Sequence, residues 1–199
     1  VNFKMGVDKP WIKLEYEQYN FVNKPARIVY MLTKMFGIIP FEGKDQYLDG
    51  QGNMLGILLK KITLFDVTGR EMDVSAAVTY LSEVLVVPSC ALQDYIHWEE
   101  IDQNHAKSTI EYNGVKAEGI FTFNEKGEFV KFETNDRYMD TGNGKFEKQK
   151  WTAVIGDYVE RNGIKKPTKL KAIWNLPEGD YEYINGTLTD IVASKKSTD

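Results

Sequence analysis

The sequence predicts a mainly β fold of the α+β class: a curved antiparallel sheet or incomplete barrel, its concave face covered by a helical insert at about residues 53–87. Two observations predict it. From Ala106 onward polar and apolar residues alternate over long runs separated by compact turn signals, the period-2 signature of half-buried strands. Between Gln51 and Gln93 the apolar spacing changes to three and four, the period of a helix with one greasy face.

In the second half, residues 107–112 run into Asn113-Gly114, the dipeptide best suited to a type I′ hairpin, and Val115, Ala117, Gly119, Phe121 and Phe123 share the face expected to be buried on the returning strand. Asn124-Glu125-Lys126-Gly127 turns the chain into a strand over 129–133, and Thr141-Gly142-Asn143-Gly144 punctuates it before Phe146 and Trp151. Strands over 151–161, 164–174 and 181–192 are separated by turns at Asn162-Gly163 and Pro177-Glu178-Gly179. Lys169 and Lys171 alternate with Leu170 and Ala172, so the sheet has a solvent side.

The first half opens with a strand over 11–22, a turn at Asn23-Lys24-Pro25 and a hairpin partner over 27–35. Asp73 is placed to cap a helix in which Val74, Ala77, Val78, Leu81, Val84 and Leu85 form the apolar stripe and Pro88 is the stop. Met54, Leu55, Leu58, Leu59 and Ile62 predict a shorter helix before it, starting after Asp49-Gly50-Gln51-Gly52. No repeat or Pro/Gly/Ser-rich linker divides the chain, so residues 1–193 read as one domain and 194–199 as a polar tail.

Composition excludes several functions. Basic residues number 25 against 29 acidic ones, with no basic cluster, so nucleic acid is not an expected partner. The single cysteine, Cys90, rules out an intrachain disulfide and a cysteine-built metal site. No apolar run is long enough for a membrane helix, so the chain reads as a soluble domain of open compartment. It begins at Val1, already strand-like, without Met or a signal peptide; the natural protein is expected to continue upstream, and any tether to a bacterial membrane is expected there.

Familiar catalytic signatures are missing: there is no P-loop, dinucleotide fingerprint, Gly-x-Ser-x-Gly elbow or His-Glu-x-x-His helix. His97 and His105 are too few for a histidine-built metal site, and no cofactor is expected. His97, beside Trp98, Glu99 and Glu100, reads as a strand-start histidine among solvated acids. Cys90 sits in an apolar stretch as a small hydrophobe. Asp45 with Asp49, and Glu71 with Asp73, are explained by capping and turns.

The apolar load of residues 28–41 and 55–65 exceeds the ordinary, and it includes methionines, which adapt to variable apolar shapes. It is either a plain core or the lining of a cavity for a lipid or other hydrophobic small molecule between sheet and helices. The lining would comprise Tyr30, Met35, Phe36, Met54, Leu58, Tyr80, Leu81, Phe121, Phe123, Trp151 and Trp174. An enzyme of unfamiliar chemistry built on Asp49, Glu83, Arg137, Tyr138 or Asp157 stays open beside this non-catalytic reading. So does a cell-envelope interaction domain using a sheet edge or the Pro-containing loop near Trp174.

Several segments together carry a resemblance. They are Lys9-Pro10-Trp11 with Glu17-Gln18, the run Asp45-Gln46-Tyr47-Leu48-Asp49-Gly50-Gln51-Gly52-Asn53-Met54, Glu71-Met72-Asp73 with Tyr80-Leu81-Ser82-Glu83, and Val87-Pro88 with Trp98. The set continues through Phe121-Thr122-Phe123, Arg137-Tyr138, Trp151, Asp157-Tyr158, Pro167 and Trp174-Asn175-Leu176-Pro177. In this order they resemble an uncharacterised, mainly bacterial family known only as a domain of unknown function. The resemblance implies membership without an activity or catalytic residues to carry over, and hydrophobic segments ahead of the domain in some members. The element order also resembles the lipoprotein-carrier (LolA-like) fold, an incomplete barrel plugged by helices that binds acyl chains; that likeness concerns architecture alone.

Overall fold

Alternating side chains draw the chain into strands almost from its first residue. In the computed structural model, which describes residues 1–142, 144–161 and 163–192, β1 (Asn2–Phe3) and β2 (Ile12–Lys13) form one rim of a nine-stranded antiparallel sheet. The chain then crosses at the buried Leu14 into a separate five-stranded sheet, so the strand expected over 11–22 is divided between two sheets. That second sheet is a meander of β3 (Glu15–Phe21), β4 (Ala26–Met35), β5 (Ile39–Leu48), β6 (Gln51–Leu58) and β7 (Ile62–Val67). The β3–β4 hairpin is the expected one.

The helix expected over residues 54–62 does not form. These residues are β6 and the start of β7, joined by a tight turn in which Leu59 and Lys60 both take positive φ. The spacing misled because a strand that is apolar on both faces also shows residues three and four apart, and a short apolar run does not distinguish the two periods. Glycine decides in favour of the strand: a Cβ on Gly56 would collide with the Phe65 ring across the pair.

The one long helix among the described residues, α1 (Arg70–Glu83), starts a turn earlier than expected, after Gly69 at φ 113°. Asp73 therefore lies inside it rather than capping it, and its carboxylate accepts the Gly52 N–H at 2.8 Å, tying helix to β6. Glu71 and Asp73 still place negative charge at the positive end of the helix dipole. Pro88 does not merely stop the helix; it opens a short second one, α2 (Pro88–Ala91). The buried residues of α1 are not a single stripe, for Ser75, Ala76 and Ser82 are buried along with Val74, Ala77, Val78, Tyr80 and Leu81. The reason is that α1 is wedged between two sheets, touching β5 and β6 on one side and β9 (His105–Tyr112) and β10 (Val115–Phe123) on the other.

The nine-stranded sheet runs in the order β2-β1-β18-β17-β14-β11-β10-β9-β8, with β8 (Ile96–Asp102), β11 (Phe129–Thr134), β14 (Trp151–Gly156), β17 (Lys169–Leu176) and β18 (Gly179–Thr187). The β9–β10 hairpin turns at Asn113-Gly114, both at positive φ, and Val115, Ala117 and Phe121 are buried as the alternation requires. Two small ribbons stand off the sheet: β12 (Tyr138–Gly142) with β13 (Lys145–Lys148), and β15 (Val159–Arg161) with β16 (Ile164–Lys166). The second ribbon breaks the strands expected over 151–161 and 164–174, because Asp157 turns at φ 53° and Pro167 has no N–H to give a ladder. Of the expected turn and tail residues, Asn143, Asn162 and 194–199 lie outside the described residues.

The fold class is therefore the expected one, mainly β and antiparallel with a helix packed against it, but built among the described residues as two large sheets and two small ribbons with no closed barrel. The core lies where α1 meets the nine-stranded sheet, with Tyr47 as the five-stranded sheet's buried contribution. A Cβ on Gly52 would overlap the Met72 carbonyl and crowd Ala76. Gly52→Ala is accordingly expected to cost about 1–3 kcal/mol of stability in chemical denaturation, since α1 must back away. Gly156→Ala, whose Cβ meets open space, should stay within about 0.5 kcal/mol.

Candidate functional site

The space beneath α1 is filled. Tyr80, Leu81, Phe121, Trp151 and Trp174 are all buried in one core, and Phe123 packs half-buried against it. The Phe121 ring centroid lies 4.9 Å from those of Phe129 and Phe132 and 5.0 Å from that of Trp98. A chain of tyrosines bridges the layers: Tyr47 of β5 lies 6.0 Å from Tyr80 of α1, Tyr80 6.2 Å from Tyr95, and Tyr95 6.1 Å from Tyr112 of β9. Tyr80 also donates to the Phe21 carbonyl at 2.8 Å and meets the Tyr95 hydroxyl at 2.9 Å. Two hollows open to solvent lie around Lys169 of β17 and Asn185 of β18, and no α1 residue lines them. Aromatic side chains thus meet α1 from both directions where the cavity was expected.

The remaining members of the expected lining sit elsewhere. Met35, Met54 and Leu58 are half-buried on the five-stranded sheet, and Tyr30 and Phe36 are exposed there. The structure therefore splits the set in two: five residues in the core with Phe123 packed against it, and five on a sheet whose far half extends beyond it.

Where that sheet does touch α1, its inward face is polar. Tyr16, Gln18 and Asn20 alternate on β3 and surround Arg27 of β4, which is only 5% exposed. Arg27 Nη1 lies 2.6 Å from Asp45 of β5, its Nε 3.0 Å from Glu83 at the end of α1, and its Nη2 donates to Tyr16 Oη at 2.9 Å. Gln18 and Asn20 add donors to the same Glu83 oxygen at 2.6 and 3.1 Å. Burial opposes the charge on Arg27, but Glu83, with Asp45 and Tyr16, holds the guanidinium well above its ordinary value. Burial likewise pushes the Tyr16 phenol up. Sequence reasoning missed this cluster, although the period-2 run of Tyr16, Gln18 and Asn20 was its signal.

The residues of the catalytic alternative do not converge. Glu83 is taken up by Arg27. Arg137 stacks on Trp151 at 4.6 Å and donates to the Ser75 carbonyl and Thr79 hydroxyl of α1, while the Tyr138 N–H donates to Ser75 Oγ at 3.0 Å. Asp49 and Asp157 occupy separate turns at positive φ. His97 is exposed on β8, His105 Nδ1 lies 2.8 Å from Asp102, and Cys90 is buried, its thiol pushed up by burial. Among the described residues no three His, Cys, Asp or Glu side chains converge to hold a metal.

The feature that stands out lies at the opposite end of the five-stranded sheet. The β5–β6 turn at Asp49-Gly50 docks on the nine-stranded sheet, Asn113 donating to the Asp49 carbonyl at 2.9 Å, so the β4–β5 and β6–β7 turns project the other way. They lie side by side, the Leu59 N–H donating to the Pro40 carbonyl at 2.9 Å. Phe36 and Ile38 are 86% and 77% exposed, and Leu59, Ile62 and Leu64 are about half exposed. Met31, Met35, Ile39, Phe41, Leu58 and Phe65 behind them are only half-buried, and none belongs to the core.

A family model matches residues 1–186, from β1 almost to the end of β18. The chain belongs to DUF6544, a family of unknown function. The DUF6544 match thus takes in both sheets, α1 and the projecting hairpins. No curated protein and no solved structure matches the chain, and so no structural neighbour stands behind the likeness to the lipoprotein-carrier fold. No helix among the described residues is long and apolar enough to cross a membrane.

Two outcomes test the buried polar layer. Arg27→Met, which strands Glu83 and Asp45 without their cation, is expected to cost about 3–5 kcal/mol in denaturant titrations. At high pH, the buried phenols should ionise only as the protein unfolds: burial raises Tyr95 to about 12, and raises Tyr16, Tyr47 and Tyr80 as well. Each raised phenol stabilises the fold fully below its unfolded value of about 10 and loses that contribution as pH climbs through the folded value. Tyrosinate absorbance that reached its full amplitude near pH 10 with circular dichroism unchanged would contradict this.

Proposed function

We propose that this chain is a non-catalytic module that recognises a hydrophobic, lipid-like partner, and that it does so with the projecting apolar end of the five-stranded sheet, not with an internal cavity. The observation that carries the reading is the exposure of Phe36 and Ile38, 86% and 77%, beside Leu59, Ile62 and Leu64 on two adjoining turns. Isolated exposed hydrophobes are ordinary, whereas a contiguous set on neighbouring hairpin tips marks an interaction surface. Fully removing a Phe, Ile or Leu side chain from water gains about 1.5–3 kcal/mol, so partial burial of several supplies useful affinity.

Two further facts support the reading. The polar residues of the catalytic alternative are scattered, Glu83 being held by Arg27 and Arg137 by Ser75 and Thr79, whereas catalysis needs them brought together around one reacting centre. The apolar load of 28–41 and 55–65 also becomes intelligible: apart from the fully buried Val29, it lies on the part of the sheet that the core under α1 does not use.

Cys90 is buried at 1% exposure, so a cysteine introduced at Ile38 can be labelled selectively with a polarity-sensitive fluorophore. Its emission is expected to shift to the blue in uncharged alkyl maltoside micelles, while a label at Leu92→Cys, 85% exposed near α2, should not respond. Equal responses at both positions, or none at either, would overturn the reading.

A further inference from the structure

We propose that the partner is the surface of a bilayer containing anionic lipid, with the two hairpin tips entering the interface and a collar of lysines seated on the headgroups. This rests on the reading above and names what the apolar end meets. Residues 33–41 and 58–62, which form those tips, contain Lys34, Lys60 and Lys61 and no acidic residue, in a chain of net charge -4. All three lysines are exposed. Glu42, the nearest acid in the sequence, lies 3.6 Å from Lys60 and offsets part of one charge, leaving the end net positive.

A further cation and aromatic flank the tips. Thr33 donates to the Lys13 carbonyl at 2.7 Å, which brings residues 11–13 alongside the end of β4. Trp11 there is 42% exposed, with Lys4 Nζ 4.9 Å from its ring centre. Apolar tips, a tryptophan and surrounding lysines are the combination that favours the boundary between acyl chains and headgroups. Local positive charge on an acidic protein favours an anionic surface over a neutral apolar ligand or a second copy of the same positive end, which would repel its twin.

The test uses the whole chain in flotation assays with vesicles of pure phosphatidylcholine and of phosphatidylcholine with phosphatidylglycerol at about seven to three. Each juxtamembrane lysine contributes about five-fold to partitioning at low salt, so Lys34→Ala/Lys60→Ala/Lys61→Ala is expected to lose on the order of 100-fold on the anionic vesicles. Raising salt should weaken wild-type binding in the same direction, a readout that needs no variant. Phe36→Ser/Ile38→Ser should lose binding to both compositions. Equal wild-type binding to the two vesicles, insensitive to salt and to the lysine variant, would overturn the headgroup assignment while leaving the apolar reading intact. No vesicle binding, with a dimer in sedimentation that Phe36→Ser/Ile38→Ser dissolves, would overturn both and identify a second copy as the occupant.

Discussion

A guanidinium as buried as Arg27 has to be answered by negative charge, and this chain answers it by bringing three elements together. Asp45 comes from the neighbouring strand, Glu83 from the last turn of α1, and Tyr16, Gln18 and Asn20 from the edge strand complete the ring of donors and acceptors. Had any one element been displaced, a charge would be left in a low-dielectric site without a partner, at a cost exceeding that of most single contacts. The docking of the five-stranded sheet on the helix is thus set by electrostatics, whereas that of the nine-stranded sheet is set by apolar packing around Phe121, Phe132 and Trp151.

That asymmetry shapes the molecule. α1 is long enough to cover only one end of the five-stranded sheet, where Gly52 lets the helix backbone approach and Tyr47 reaches the core. Beyond it β4, β5, β6 and β7 continue without helical cover among the described residues, and their side chains shield one another only in part, as Phe41 and Phe65 do at 6.2 Å. A sheet half of this composition exposes its apolar residues unless something outside the chain receives them. The three lysines at its tip, set against an acidic whole, make that exposed end chemically distinct from the rest of the surface.

Legibility followed the range of the forces involved. Hairpins whose register is set by two residues, Asn113-Gly114 above all, and the alternation of β10 could be read directly, because turn conformation and strand period are local properties. The helix at Val74 to Leu81 was equally plain. What misled was the apolar run from Met54 to Ile62, where both faces of the strand are greasy and the period does not discriminate; the deciding contact, Gly56 against Phe65, is made across strands. The same blindness applied to the site. Tyr30 and Phe36 belong by composition with Phe121 and Trp151, and nothing local separates a residue in the core from one at a free tip.

By itself, the sequence determined the class of the fold, its antiparallel character, its main turns and the one long helix, since each follows from propensity and period within a few residues. Only the tertiary structure decided that there are two sheets, that aromatic side chains fill the room beneath the helix, and that the surplus of apolar residues lies at a free end. Those outcomes depend on which distant surfaces compete successfully for α1, and that competition is settled by packing and charge pairing between segments far apart in the chain, such as Arg27 with Glu83 and Gly52 with Met72.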